Sequence, residues 1–323
     1  MDYLEFIDSK RIVTIDSGFT AKESNPMLFD FQKDIAKWAL RKGRSAIFAD
    51  CGLGKTIIQL EWSQKVVEQT CGNVLILAPL AVSKQTTKEG EKFGITVHLC
   101  RTQDDVKPGI NITNYEMLHH FKPTEFTGIV LDESSILKGM NSKTRVAVTE
   151  AFVNTPYKLA CTATPAPNDY MELGNHSEFL GVMSRSEMLA MFFVHDSGDT
   201  SKWRVKGHAA QRYWEWVSSW AVVIRKPSDL GYDDGDYILP ELNMRQHTVT
   251  TDQPSDGMLF TIEAMNLQER QAARRSSIND RVKVCADLVN NGTEPWIIWC
   301  DLNAIAVTAQ NSINTLGISS MSY

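Results

Sequence analysis

SAIFADCGLGKTIIQL, residues 45–60, runs from a short apolar stretch (Ala46 to Ala49) through a glycine-bearing turn (Cys51 to Gly54) into an amphipathic segment opened by Lys55 and Thr56. That order predicts strand, loop and helix. Backbone N–H groups in such a loop point inward, and Gly52 and Gly54, flanking Leu53, let the chain approach a phosphate where a Cβ would collide. The positive end of the helix dipole adds to the attraction. Lys55 is then placed to reach the β- and γ-phosphates of a nucleotide, and the Thr56 hydroxyl to ligate Mg²⁺. The strict P-loop pattern has glycine at its first position, where this chain has Ala49. A Gly-rich helix cap with a surface lysine is the plainer alternative, but the flanking strand and helix favour nucleotide binding.

The 323 residues are enough for a full core and more than one domain. The six cysteines (51, 71, 100, 161, 285 and 300) are scattered without a C-x-x-C pair, which suits a reduced, cytoplasmic chain better than disulfides or zinc. MDYLEFIDSK at the start has no apolar core of a signal peptide, and no run approaches membrane-spanning length. A net charge of −6 gives no overall pull toward nucleic acid, so any such site must be a local basic patch.

Outward from the loop, residues 1–25 read as a peripheral extension. Met27, Leu28, Phe31, Ile35, Trp38 and Ala39 fall at helical spacing just upstream, and Gln32 on that helix could read an adenine edge through its amide. Downstream, NVLILAPL (73–80) reads as a strand buried on both faces, followed by a helix from Ala81 to Phe93 and short strands at 96–100 and 110–115. Strands alternating with helices predict a doubly wound α/β domain. GIVLDE (128–133) is an apolar strand ending in Asp132-Glu133, two carboxylates at the sheet edge where ligands of such folds collect. Asp132 would hold Mg²⁺ and Glu133 would orient and deprotonate an attacking water. YKLACTAT (157–164) is a further strand, and Thr162 and Thr164 at its end could sense a γ-phosphate.

FQKDIAKWAL, ADCGLGKT, LILAPLAVSKQT, ITNYEML, LDESS and TATPAPND, in this order, resemble motifs Q, I, Ia, Ib, II and III of the superfamily 2 helicases. The most similar variant is the Swi/Snf-like group of DEAD/DEAH-box helicases carried by bacteriophages and prophages, over roughly residues 26–300. The resemblance implies an ATP hydrolase that translocates on nucleic acid, DNA ahead of RNA, in the cytoplasm of a bacterial host. It implies that Gln32, Gly52, Leu53, Gly54, Lys55, Thr56, Asp132 and Glu133 serve Mg²⁺-ATP, and that Thr162 and Thr164 couple hydrolysis to nucleic-acid contact. Motifs Ia, with Lys84, and Ib would touch the sugar-phosphate backbone. Ser135 stands where DEAD- and DEAH-type proteins keep Asp or His, which puts strand separation in doubt.

Between Ser201 and Lys226 basic and aromatic residues interleave: Lys202, Trp203, Arg204, Lys206, Arg212, Trp214, Arg225 and Lys226 among them. Lys202, Arg204 and Lys206 are candidate phosphate contacts. Tyr213, Trp216, Val217 and Trp220 fall at helical spacing and read as core. RKPSDLGYDD (225–234) resembles a stretch of the phage group and marks the exit from the first lobe. Residues 244–251 alternate like a strand, and 257–290 read as one or two helices with a positive face of Arg270, Arg274, Arg275, Arg281 and Lys283. PWIIWCDLNA (295–304) resembles motif IV, the strand opening a second lobe. The expected organisation is an N-terminal extension (1–25), a RecA-like ATP-binding domain with helices on both faces of a parallel sheet (26–226), a helical linker (227–290) and an incomplete second RecA-like lobe (291–323). After Asn303 no motif V or VI follows, although such a lobe needs roughly a hundred residues. Loss of the arginine finger of motif VI would slow hydrolysis by about 10³–10⁵. Either the chain is truncated or a second polypeptide completes the site. The alternative function is a nucleotide-responsive DNA-binding module that hydrolyses little by itself.

Overall fold

The computed structural model describes residues 16–139, 142–196, 199–249, 266–292, 296–300 and 303–313. Helix α1 (Asp30–Lys42) forms because Phe31, Ile35, Ala39 and Leu40 make one apolar stripe, which it buries. Backbone N–H groups of Ser17, Gly18 and Phe19 donate to the last carbonyls of this helix, so the preceding segment caps it. The chain then alternates: β1 (Arg44–Ala49), α2 (Lys55–Thr70), β2 (Asn73–Ala78), α3 (Leu80–Lys92), β3 (Val97–Leu99), β4 (Ile110–Asn114), β5 (Phe126–Asp132), α4 (Lys143–Ala151) and β6 (Tyr157–Thr162). Helices α5 (Leu173–Leu180) and α6 (Arg185–Phe192), the strands β7 (Phe193–Asp196) and β8 (Asp199–Val205), helix α7 (Ala210–Trp220) and strand β9 (Ala221–Ile224) complete the sequence of elements in this part.

Seven strands form one parallel sheet in the order β3-β4-β2-β5-β6-β1-β9. The expected RecA-like α/β fold is the observed one. Both faces are covered, which is why the central strands read as unbroken apolar runs. Side chains alternate between two cores: Phe48, Leu77, Leu131 and Ala160 pack with Tyr213, Trp216 and Trp220 on one face. Ile47, Val130, Leu159 and Cys161 pack with α1 and α2 on the other.

Four stretches depart from the expectation. Residues 221–224 join the sheet as edge strand β9, parallel to β1; helix α7 passes into it without a turn residue, so no signal marks the change of period. The basic-aromatic stretch begins as an antiparallel hairpin, β7 against β8, in which Trp203 and Val205 lean on the core while Arg204 is exposed. Residues 244–249 form no strand, and Met244 is exposed. Residues 296–300 form none either, with Ile297 and Trp299 exposed. A buried parallel strand needs neighbours for its backbone groups, and among the described residues none pairs with these two. Positions 250, 251, 295, 301 and 302 of the two expected strands lie outside the described residues, while Asn303 and Ala304 open a helix instead.

Contacts divide the chain into two compact units, Met1–Leu239 and Pro240–Tyr323. In the second, α8 (Leu267–Ser276), α9 (Ile278–Asn290) and α10 (Asn303–Ser312) are described, and Val282, Ala286 and Val289 of α9 pack against Ala309 and Ile313. Arg270, Arg274, Arg275 and Lys283 are exposed, whereas Arg281 is partly buried and donates to the Arg274 carbonyl. Among the described residues no helix is long and apolar enough to cross a membrane.

Candidate active site

The sheet order brings three strand ends together. β6 lies between β5 and β1, and the register sets Cys161 beside Asp132 and Thr162 beside Phe48. The loop after β1, the carboxylates after β5 and the threonines after β6 therefore meet at the C-terminal edge of the sheet, where parallel α/β folds hold ligands.

In the loop, Gly52 and Gly54 have φ of 85° and 76°, a left-handed region open to glycine. A Cβ on Gly52 would meet nothing within 4 Å, whereas one on Gly54 would collide with Gln32 Nε2. Gln32 is buried and braces the loop: its Nε2 donates to the Leu53 carbonyl at 3.1 Å and its Oε1 accepts from the Phe29 N–H at 3.0 Å. One N–H and one lone pair of the amide remain for a base edge. Lys55 Nζ donates to the carbonyls of Ala49 (2.9 Å) and Asp50 (3.2 Å), lying across the mouth of the loop. Thr56 sits half-buried in the first turn of α2. A short-cornered loop, an ammonium beside it and the N-terminal turn of a sixteen-residue helix fit a triphosphate with its Mg²⁺.

Asp132 is 5 % exposed. Burial pushes its carboxyl up to about 6, opposed by the neighbouring Gln59 amide and Lys55 ammonium, while Glu133 adds to the rise. Gln59 of α2 is wholly buried, yet among the described residues its amide closes no hydrogen bond of ordinary geometry. A carboxyl at the edge of ionisation facing an unsatisfied amide is the donor set a hydrated cation would complete. Glu133 takes a left-handed backbone, φ 51° and ψ 53°, and its Oε2 accepts from Thr162 Oγ1 at 3.2 Å. Thr162 Oγ1 also accepts from the Thr164 N–H at 3.2 Å. Thr164 itself is exposed.

The turn after Glu133 is held from α5. Ser134 Oγ lies 3.1 Å from His176 Nε2, and Asn175 Nδ2 donates to the Leu137 carbonyl at 2.8 Å. Burial pushes His176 down to about 4, so the ring is neutral at neutral pH. From the other side, Tyr115 Oη donates to the Asp132 carbonyl at 2.6 Å. Gln59, Tyr115 and His176 were not singled out by their residue types. Gln59 is a polar side chain among apolar neighbours, and Tyr115 and His176 are single aromatic and imidazole groups among polar ones, patterns that structural residues share.

The candidate nucleic-acid residues lie on other elements. Lys84 is exposed on α3. Lys202 and Arg204 lie in β8. Lys206 Nζ donates to the carbonyls of Ala190 (2.8 Å) and Met191 (3.1 Å), the open end of α6. Tyr213, Trp216, Val217 and Trp220 are buried, as expected of core, while Trp214 is partly exposed against Tyr170.

A family model described as the SNF2-related domain matches residues 31–192. No curated protein matches the chain. Among solved structures, the Sulfolobus solfataricus SWI2/SNF2 ATPase core in complex with dsDNA is similar, with a TM-score of 0.55 and 22% identity over 67% of this chain. The same ATPase core domain solved in a second structure gives a TM-score of 0.50 and 22% identity over 68% of this chain. The matched part spans about half of those chains, 49% and 46%.

Proposed function

Because this chain belongs to the SNF2-related domain family, we propose that it is an ATP-dependent motor domain that couples Mg²⁺-ATP hydrolysis to movement along DNA. The observation that carries the reading is the hydrogen bond between Thr162 Oγ1 and Glu133 Oε2, which joins the strand end after β6 to the acidic pair beside the phosphate loop. Lys55 would exchange its two carbonyl partners for the β- and γ-phosphates. Thr56 and Asp132 would hold Mg²⁺, which when bound neutralises charge developing on the phosphate oxygens. Glu133 orients the attacking water and takes its proton. Thr162 senses the state of that carboxylate and passes it through Thr164 to the exposed surface. Gln32 reads the base while bracing the loop.

Duplex DNA is the first candidate track, since the similar ATPase core was solved with it. Lys84 on α3 and Arg204 in β8 are the candidate backbone contacts, together with Lys202 of the same strand as Arg204. Residues 26–226 form the ATP-binding lobe in this reading, and a second lobe, in this polypeptide or another, closes on it. The phage or prophage origin read from RKPSDLGYDD, and a place in the bacterial cytoplasm, belong to the same proposal.

Steady-state ATPase of the 323-residue chain, with and without duplex DNA and beside Lys55→Ala, tests it. Turnover that rises with DNA and vanishes in the variant is the expected result. Mg²⁺-dependent ATP binding that is lost in Lys55→Ala, with no turnover under any condition, would instead make this a nucleotide-gated DNA-binding module.

A further inference from the structure

Glu133 is a non-glycine residue in a left-handed backbone conformation, which L side chains other than Asn and Asp seldom adopt. Such residues persist where their surroundings over-determine them. Here the peptide joining Asp132 to Glu133 is held at both ends. Its N–H donates to Asp132 Oδ1 at 3.2 Å, and its C=O accepts from Tyr115 Oη at 2.6 Å. The Glu133 carbonyl then accepts from the Ile136 N–H at 3.3 Å, which starts the turn Ser134–Lys138.

On the β2 side the Asp132 carbonyl meets this phenol because that strand runs out of backbone donors. The β2–β5 ladder pairs Leu77 with Leu131, β2 ends at Ala78, and the next residue is Pro79, which has no N–H. Tyr115 follows β4, on the far side of β2, and its buried ring reaches past the end of β2 to supply the missing bond. Burial beside Asp132 raises the phenol far above its ordinary range, so the hydroxyl keeps its proton and remains a donor.

We propose that Tyr115 is a positioning residue for Glu133: its hydroxyl fixes the 132–133 peptide, and so aims the Glu133 carboxylate at Thr162 and at the attacking water. This rests on the reading of Glu133 as the proton acceptor. The surface turn Tyr115–His120 is thereby tied to the reacting carboxylate.

Tyr115→Phe removes one oxygen and keeps the buried ring. In the full chain, kcat for DNA-stimulated ATP hydrolysis is expected to fall about tenfold, with KM for ATP within about twofold. In a Glu133→Gln background the same change should have no further effect on residual turnover. 4-Aminophenylalanine at position 115, which restores a donor, should recover the lost rate, and it serves equally if the Phe variant folds poorly. A crystal structure of Tyr115→Phe should show the 132–133 peptide rotated and the Thr162–Glu133 bond broken. Unchanged kcat, an equal loss in the Glu133→Gln background, or an unmoved peptide would overturn the inference. If the wild-type chain turns over no ATP, the hydrolase reading fails by itself, and the variant's peptide geometry still decides the role of Tyr115.

Discussion

Asp132 is a carboxylate in a place that disfavours carboxylates. Its folded pKa of about 6 lies above the ordinary value of 3.8, so the neutral form is the one favoured by folding. The associated stability is present below pH 4 and lost as pH rises through 6, leaving at pH 8 a buried charge that Lys55 and the Glu133 N–H offset only in part. Asp132→Asn is therefore expected to stabilise the nucleotide-free protein at pH 8 by about 2 kcal/mol while abolishing Mg²⁺-dependent ATP binding. Thermal melts of both forms at pH 8 check this, and a lower Tm for the variant would contradict it. Lys158 shows the opposite sign. It is 1 % exposed, its Nζ donates to the Phe179 carbonyl at 2.9 Å, and burial pushes it down to about 8. Because the folded state releases this proton first, stability should rise with pH between about 8 and 10.5. Between pH 7 and pH 10 the denaturant midpoint of wild type should rise relative to that of Lys158→Met; parallel curves would remove Lys158 from the account.

Helix ends explain one residue that composition alone would assign to nucleic acid. Lys206 donates to two carbonyls at the C-terminal end of α6, where a cation meets both unsatisfied acceptors and the negative end of the dipole. Lys206→Ala should cost about 1 kcal/mol of stability and leave the salt dependence of DNA binding unchanged. Lys84→Ala, on the exposed side of α3, should leave stability unchanged and lower the slope of log K against log salt by about 0.9. Titrations of labelled duplex over a salt series separate the two, and a reduced slope for Lys206→Ala would return that lysine to the interface. Elements with their own period were legible: Phe31, Ile35 and Ala39 of the expected helical stripe lie on α1, and the runs NVLILAPL and GIVLDE contain most of β2 and β5, although the helix starts only at Asp30 and β5 already at Phe126. Strand β9 was not, because Ala221 to Ile224 follow Trp220 without punctuation and become a strand only by pairing with β1. Conversely, the alternation at 244–249 met no partner strand and stayed irregular.

At the scale of the whole molecule, the first unit carries both faces of the sheet and both of its cores, and the second has a small cluster of its own formed by Val282, Ala286, Val289, Ala309 and Ile313. Residues 16–239 by themselves are expected to unfold in one cooperative transition close to the main transition of the longer chain. Calorimetry showing no transition, or two, would contradict this. The sequence by itself determined the α/β class, the phosphate loop, the acidic strand end and the threonine strand end, because apolar periodicity and glycine placement are local properties of the chain. It also carried the family, through motifs whose order survives without coordinates. Only the tertiary structure decided which ends are neighbours: β6 lies between β1 and β5, though the chain makes β1 first and β6 last of the three. It alone joined Tyr115 to the Asp132 carbonyl and His176 to Ser134. These are pairings between single polar groups distant along the chain. No local period encodes them, and burial makes each one matter because an unmet donor or acceptor has no water to turn to.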